Sequence, residues 1–309
     1  MPLTKQGYRW GFIVGSVLLL NCIPWSTAFA TDDASLIEQS ADYFPDQIGN
    51  TWRYRGQITE GPLQTIEHKI FSNVSSVTDT KVIKGMTVTV FHDANPGNHG
   101  PMDSFYRRDS VGIVYYGSEP GTPFEKQLVP YQIVRFPMKL SSSFQQFNRK
   151  DIDFGTDLDR DGVNEKADSQ GEATVLGHES VTVPAGTFKD AVKLEARMHM
   201  QIHLSGAKKT AMGTDVMTAW FAKGVGLVKY VERQELAQME DRGVVTDIME
   251  ELESYDIKPS RASLGRRESS TEGLLADHTS DDKLHQILFP SGFRADSGES
   301  MAPKRLTSD

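Results

Sequence analysis

Apolar residues occupy every second position of a long stretch in the middle of the chain. From residue 192 to residue 204 the even-numbered residues are apolar, and the odd-numbered residues between them are polar or charged. A β-strand points successive side chains to opposite faces, whereas a helix would scatter the same residues around its circumference. The pattern therefore predicts a strand with one apolar face and one polar face.

The segments on either side of this strand extend the predicted sheet. Residues 181–183 form a shorter alternating run that ends at Pro184-Ala185-Gly186, a turn sequence in which proline fixes φ. Residues 220–230 predict two further strand pieces joined by a glycine-marked bend or bulge. We take residues 181–230 as the centre of the fold.

The rest of the chain alternates between short strand candidates and turn residues. Trp52 and Tyr54 alternate into a first strand, and with Tyr43 and Phe44 they are expected to close one end of the core. Further strands are predicted at 65–77, 81–92, 104–108, 111–116, 132–136 and 244–255, with turns at 79–80, 95–97, 109–110 and 117–123. The last strand has a helical alternative, against which only Gly243 argues.

Regular strands with polar turns predict a mainly β fold built on a single antiparallel sheet. One short N-terminal helix is also predicted, over residues 33–41. Asp32 or Asp33 would be its N-cap, since a carboxylate can accept hydrogen bonds from the first free N–H groups of a helix.

The first thirty residues have the pattern of a signal peptide. Lys5 and Arg9 precede an apolar run, and Ala28 and Ala30 supply the small residues that a signal peptidase reads. The pattern predicts cleavage before Thr31 and export to the periplasm or the cell exterior. An uncleaved membrane helix is the alternative, but the apolar run is short for a span.

Removal of the signal would change the cysteine count and the charge. Cys22 is the only cysteine, so disulfides and thiol catalysis are excluded for the mature chain. A lipid anchor at Cys22 is an alternative to soluble export, although Asn21 does not suit lipoprotein processing. The net charge of −9 becomes −9 − 2 = −11. A chain this acidic is a poor partner for nucleic acid or anionic headgroups, but it is compatible with cations.

The composition changes after residue 257. Residues 258–309 are rich in Ser, Arg, Asp and Gly, and they cannot bury enough apolar surface to offset their ordering entropy. We predict a signal peptide at 1–30, an antiparallel β domain at 31–257 with an acidic loop insertion at 151–170, and a disordered polar tail at 258–309. An apolar island at 284–293 could dock on a partner or on the sheet, or be part of a passive tail.

The acidic loop is the clearest candidate for a metal site. Oxygen side chains alternate before a glycine at 162, a spacing similar to that of an EF-hand calcium loop. The predicted ligands are Asp157, Asp159, Asp161, Val163 through its carbonyl, Glu165 and Asp168. The loop departs from the EF-hand pattern at Asn164, at its closing aspartate and in its lack of flanking helices. The alternative is a solvated acidic turn without an ion.

No catalytic constellation stands out in the sequence. It has no Gly-x-Ser-x-Gly elbow and no zinc or phosphate-loop motif. His199 and His203 would be a metal pair on a helix, but on a strand at ~3.3 Å per residue they stand roughly 13 Å apart. We therefore expect no enzymatic activity and no organic cofactor.

Three motifs resemble those of a family of uncharacterised exported bacterial proteins. They are YFP-x3-GN-x-W at 43–52, VPAGTF at 183–188 and GVG-x-VK at 224–229. That family is similar to the periplasmic lipoprotein carriers with curved sheets, which implies a strongly bent sheet in the form of a half-barrel or open barrel. The resemblance covers roughly residues 40–256 and brings no catalytic residues.

These features lead to three hypotheses about function. The first is an exported, non-catalytic envelope protein that binds a lipid or acyl chain on the concave face of the bent sheet, where Met198 and Met200 offer an adaptable apolar surface. The second is a calcium-stabilised structural or adhesive module that meets another envelope protein. The third is a hydrolase assembled from distant residues. None involves nucleic acid or a transmembrane span after signal removal.

Overall fold

The structure, a computed structural model, describes residues 35–62, 66–206, 209–236 and 244–258. The predicted signal peptide, Cys22 and the tail beyond Lys258 lie outside these residues, as does the apolar island at 284–293. Within them the chain forms one antiparallel sheet of twelve strands. The strands are β1 Thr51–Pro62, β2 Glu67–Ile83, β3 Met86–Asp93, β4 Met102–Asp109, β5 Gly112–Glu119, β6 Tyr131–Arg135, β7 Ser143–Asp153, β8 Lys166–Val183, β9 Gly186–His203, β10 Thr210–Ala222, β11 Gly226–Leu236 and β12 Val244–Asp256.

The strand order brings the two ends of the domain together in the middle of the sheet. Consecutive strands pair from β1 to β6 and from β7 to β12, and β12 pairs with β1. The edge strands β6 and β7 approach each other, where Gln146 Nε2 donates to Gln132 O at 3.3 Å. The sheet is therefore nearly closed into a barrel, which confirms the prediction of a mainly β, strongly bent antiparallel sheet.

The single α-helix of the described residues, α1 Pro123–Leu128, lies at the gap between these edges. Thr122 caps it by accepting a hydrogen bond from Glu125 N at 3.1 Å. The Gln127 side chain then donates to Asp153 O at 2.8 Å and accepts from Asp153 N at 2.9 Å. The helix thus satisfies backbone groups of β7 that the open edge leaves free.

The predicted N-terminal helix at 33–41 is wrong over the residues that the structure describes. Gln39 has φ of 51°, a left-handed conformation that a right-handed helix does not include. Leu36 forms an isolated bridge with Lys139, and a 3₁₀ turn follows at Ser40–Tyr43. The N-terminal segment is therefore an irregular strap that packs its buried residues Ile37 and Tyr43 onto the core.

The predicted turn at 79–80 is also wrong. A β-bulge between Val77 and Asp79 lets β2 continue, and the chain reverses instead at Lys84-Gly85, where φ is positive at both residues. The last predicted strand is confirmed, because Val244–Asp256 pairs with both β11 and β1 rather than forming a helix.

The even-numbered face of residues 192–204 lies inside the barrel. Six of its seven residues are buried and Leu194 is partly buried. All of them except Ala196 pack in or against the main hydrophobic cluster, with side chains from β5, β6, β10 and the N-terminal strap. The predicted alternation is confirmed, and the face is packed core rather than an open surface.

A second hydrophobic cluster gathers residues from all three sequence motifs. It contains Trp52 and Val183, with Phe188 and Val225 packed against it. A hydrogen bond also links the turn after β8 to β12, because Ala185 N donates to the carbonyl oxygen of residue 252 at 2.8 Å. The motifs are distant in sequence but adjacent in the fold. Their shared role in this cluster explains why these residue types occur at these positions.

Candidate functional site

The acidic loop joins β7 to β8 and brings three of its predicted ligands together. Carboxylate oxygens of Asp157, Asp159 and Glu165 lie within 4.8 Å of one another. Glu165 is fully buried, and its backbone is fixed by two hydrogen bonds: its carbonyl oxygen accepts from Phe154 N, and its N–H donates to Thr156 O. Three carboxylates at this separation fit the oxygen preference of calcium.

Backbone N–H groups orient these carboxylates. Asp157 accepts from Asp161 N at 3.2 Å and from Gly162 N at 2.9 Å. Glu165 accepts from Ser205 N at 2.8 Å, and Asp159 Oδ2 accepts from Gly206 N at 2.9 Å. Ser205 and Gly206, which follow β9, therefore bind the acidic side chains of the loop and hold them in place.

The remaining predicted ligands lie elsewhere. Asp161 accepts from Val163 N at 2.9 Å and from Ser205 Oγ at 2.6 Å, and Val163 is exposed. Asp168 lies on β8 and accepts from Lys150 Nζ at 2.7 Å. This hydrogen bond, with one from the backbone of the residue after Lys150, lowers the pKa of Asp168. The structure thus does not bring Asp168 into the carboxylate group.

An apolar pocket of about 60 Å³ lies between the N-terminal strap, the inner faces of β1–β6 and the β10–β11 turn. We call it the aromatic pocket. Seven aromatic side chains line it, Tyr43, Phe44, Trp52, Tyr54, Phe91, Tyr106 and Phe221. Asp46 and Arg108 also line it and are partly exposed, with Arg108 Nε donating to Asp46 Oδ2 at 2.8 Å. This ion pair lies at the rim of a mainly apolar site.

The rings of the pocket are fixed by contacts with one another and with the backbone. Trp52 Nε1 donates to Val225 O at 2.6 Å, and Tyr54 Oη donates to Leu227 O at 3.0 Å. Phe91 stacks on Trp52 with 6.3 Å between ring centroids and meets Tyr106 edge-on at 5.2 Å. The pocket is therefore a rigid concavity within the core.

Buried carboxylates on the inner face of the barrel were missed by sequence reasoning. Asp215, Glu232 and Glu250 are buried on β10, β11 and β12. Glu232 accepts from Tyr230 Oη and from Gln234 Nε2, each at 2.6 Å. Burial raises the pKa of Glu232. Burial and the nearby charge of Glu232 raise the pKa of Asp215 well above its ordinary value.

Glu250 has hydrogen bonds of its own on this inner face. It accepts from Gly97 N at 3.0 Å and from Asn73 Nδ2 at 3.1 Å, and Asn73 also donates to Asp93 at 3.0 Å. Burial raises the pKa of Glu250 to about 7. The sequence offers one signal for these acids, since Asp215 stands at an inward position of an otherwise apolar alternation in β10.

The histidines lie on the outside of the sheet. His199 and His203 are exposed on β9, which confirms that they belong to a strand. His203 Nε2 lies 3.7 Å from Asp168 Oδ1. Neither histidine lines the aromatic pocket.

Comparison with known proteins gives a family likeness over part of the chain. Residues 130–235 match the DUF3108-like family. This segment runs from the start of β6 to β11, which is 106 of 309 residues. It includes the VPAGTF and GVG-x-VK motifs and leaves out the N-terminal aromatic motif. No curated protein matches the chain.

Two solved structures are similar to the chain at low identity. One is a Bacteroides fragilis protein assigned as exported, with a YmcC-like fold, at 13% identity and a TM-score of 0.30. The other is a Parabacteroides distasonis protein assigned as a lipoprotein, at 17% identity and a TM-score of 0.31. Each match covers 69% of this chain and 98% of the other chain. At these TM-scores neither structure bears on the function of this chain.

The part of the chain that the structure describes contains no helix that is long and apolar enough to cross a membrane.

Proposed function

We propose that this chain is an exported, non-catalytic envelope protein that binds a small apolar ligand, or the end of an acyl chain, in the aromatic pocket. The observation that carries the proposal is the pocket itself, a rigid concavity with seven aromatic side chains and a single ion pair at its rim. Sites for small molecules are typically concave and apolar with a few placed polar groups. Export is supported by the pattern of the first thirty residues.

This site replaces the concave face at 192–204 that the alternation suggested. That face is packed core, so a ligand there would have to displace buried side chains. The aromatic pocket already provides space at the strap and β1 end of the barrel.

The size of the pocket limits what enters it. Its volume of about 60 Å³ is smaller than an engineered cavity of roughly 150 Å³ that accepts benzene. A whole lipid therefore does not fit inside. A ring edge or the terminal carbons of a chain would enter, and the rest of the ligand would extend past Asp46 and Arg108.

The lining suits binding rather than catalysis. It carries hydroxyl groups at Ser75, Thr89 and Tyr106, but no histidine lies beside them to act as a general base. This arrangement supports the non-catalytic form of the proposal.

A substitution at the edge of the pocket tests the proposal. Thr89 is half-buried on β3 and lines the pocket, whereas Thr87 lies two residues away on the same face of β3 and is exposed. Thr89→Phe is expected to fill the entrance and weaken binding of cis-parinaric acid, followed by its fluorescence, at least tenfold. Thr87→Phe is the matched control and should bind like the wild type. Equal binding by both variants, or no saturable binding by the wild type, would count against the proposal.

A second candidate function is a calcium-stabilised module of the envelope. It is favoured by one observation, the convergence of Asp157, Asp159 and Glu165 on a common point. Extracellular calcium sites have Kd values of about 10⁻⁴–10⁻³ M, so a loop with three carboxylates is adequate for a calcium-rich medium. The two functions are compatible, since the loop and the pocket share no residues.

A further inference from the structure

The aromatic pocket contains two buried hydroxyl groups with unused hydrogen-bonding capacity. Ser75 is 0% exposed and Tyr106 is 5% exposed. Among the described residues, neither Ser75 Oγ nor Tyr106 Oη has a partner at good hydrogen-bonding geometry, although the Ser104 hydroxyl lies close enough to Tyr106 to lower its pKa against the effect of burial. Both residues line the pocket. The polar ring atoms of Trp52 and Tyr54 differ, because both donate to backbone carbonyls.

The two hydroxyls cannot easily turn away to find other partners. The Tyr106 ring is held between Phe91, at 5.2 Å between centroids, and Tyr115, at 5.3 Å. Ser75 is on β2, directly opposite Asp93 on β3, and its side chain is surrounded by packed residues. A buried hydroxyl without a partner is unfavourable, so such a group calls for an explanation.

Unsatisfied polar atoms also occur beside the pocket on the same inner face. Ser104 Oγ on β4, which approaches the Tyr106 hydroxyl, and Asp93 Oδ2 on β3 are buried without a partner at good hydrogen-bonding geometry among the described residues. Asp93 is opposite Ser75 in the sheet register, and Ser104 is two residues from Tyr106 on the same strand. These polar atoms therefore cluster on β2–β4 at one end of the pocket, which we call its polar end, next to an apolar wall.

We propose that the ligand of the aromatic pocket combines an apolar body with a neutral hydroxyl group, which forms hydrogen bonds with Ser75 Oγ and Tyr106 Oη. The inference rests on the proposed function and adds the chemical class of the ligand. Serine and tyrosine hydroxyls both donate and accept, which matches a partner hydroxyl that also does both.

The charge of the surroundings favours a neutral group over an ionised one. Arg108 is the basic residue of the pocket lining, and its guanidinium is already paired with Asp46. A ligand carboxylate at the buried end would therefore lose its hydration without gaining a countercharge, and it would lie near Asp93. A hydroxyl has no such penalty once it is hydrogen-bonded.

Phenol and toluene test the inference because they have the same shape and differ by a hydroxyl in place of a methyl group. Affinities are measured by saturation-transfer NMR for the wild type, Tyr106→Phe and Ser75→Ala. Each variant is expected to bind phenol about five- to tenfold more weakly, the loss of about one hydrogen bond. Toluene binding should stay within about twofold of the wild type, since the apolar walls are unchanged.

Tyr116→Phe is the control, because Tyr116 lies on β5, is half-buried and does not line the pocket. Thermal melts of all three variants identify any loss of folding. If phenol and toluene both bind and neither pocket variant changes their ratio, the hydroxyls serve only structure or bound water. The inference is then overturned while the proposed function stands. If neither probe binds to the wild type, the proposed function fails and the inference fails with it.

Discussion

Two aromatic side chains near the start of β1 connect that strand to the β10–β11 turn. Trp52 and Tyr54 donate to Val225 O and Leu227 O, which flank Gly226 in the sequence. Gly226 has φ of 95°, and a Cβ added there would lie 3.3 Å from a carbon of Pro45. Glycine is needed at this turn because both its conformation and its space disfavour a side chain. All of these residues except Val225 line the aromatic pocket and form one of its walls.

The buried Glu250 makes stability depend on pH. Its pKa is raised by burial from 4.5 to about 7. The folded state holds the proton on Glu250 more tightly than the unfolded state does. The resulting contribution to the free energy of unfolding is therefore fully present below pH 4.5 and is lost as pH rises through about 7. The loss expected from the shift alone is on the order of 3 kcal/mol.

Glu250→Gln should flatten this dependence in urea unfolding between pH 4.5 and pH 7.5. Some slope will remain, because the pKa values of Asp215 and Glu232 are raised in the same direction. Glu253→Gln is the control, since Glu253 is on the same strand and exposed. A Glu250→Gln slope equal to that of the wild type would show that Glu250 does not titrate in this range.

Among the elements, the strands with large alternating side chains could be predicted from the sequence. β9 was predicted from its apolar period, and the position of β12 was also predicted. β7 and most of β8 were missed. Phe147 is the one buried residue of the edge strand β7, and it packs over Gly171 on β8, where a Cβ would come within 2.6 Å of its ring. Small residues on the inward positions of β8 therefore leave space for the large side chain of Phe147. They also weaken the alternation of large apolar residues by which a strand is recognised in the sequence.

The acidic loop shows what a motif can and cannot specify about a site. The spacing identified Asp157, Asp159 and Glu165, which the structure brings together. It could not identify Ser205 and its neighbour in the β9–β10 turn, which bind the loop from 40 or more positions away. Contacts of this kind depend on strand pairing and leave no local signal.

A thermal melt tests calcium binding at this loop. With Kd of about 10⁻⁴–10⁻³ M, calcium at ten to a hundred times Kd should stabilise the fold by about 1.4–2.7 kcal/mol relative to chelator. Asp159→Ala should abolish the increase in Tm. Asp168→Ala should retain it, because Asp168 lies outside the carboxylate group and pairs with Lys150. A wild-type Tm that is the same in calcium and in chelator would remove the ion from the acidic loop.

At the scale of the whole molecule, the pairing of β1 with β12 decides where the aromatic pocket lies. It places the N-terminal aromatic motif beside the β10–β11 turn. The sequence predicted a bent antiparallel sheet and the aromatic closure at one end. It could not predict the pocket, because the pocket depends on how β1–β6 curve over the strap, and single-strand periodicity holds no information on curvature.

The location of a bound probe tests the central claim most directly. Trp52 lines the pocket, whereas Met198 and Met200 lie on the packed face of β9 and Trp220 belongs to the second cluster. NMR of the mature chain with labelled indole and methionine methyl groups reports on all four residues at once. Addition of toluene should shift the Trp52 indole signal in a saturable manner and leave the two methionine methyl signals unchanged. Saturable shifts at Met198 and Met200 without a shift at Trp52 would contradict the assignment of the aromatic pocket as the binding site.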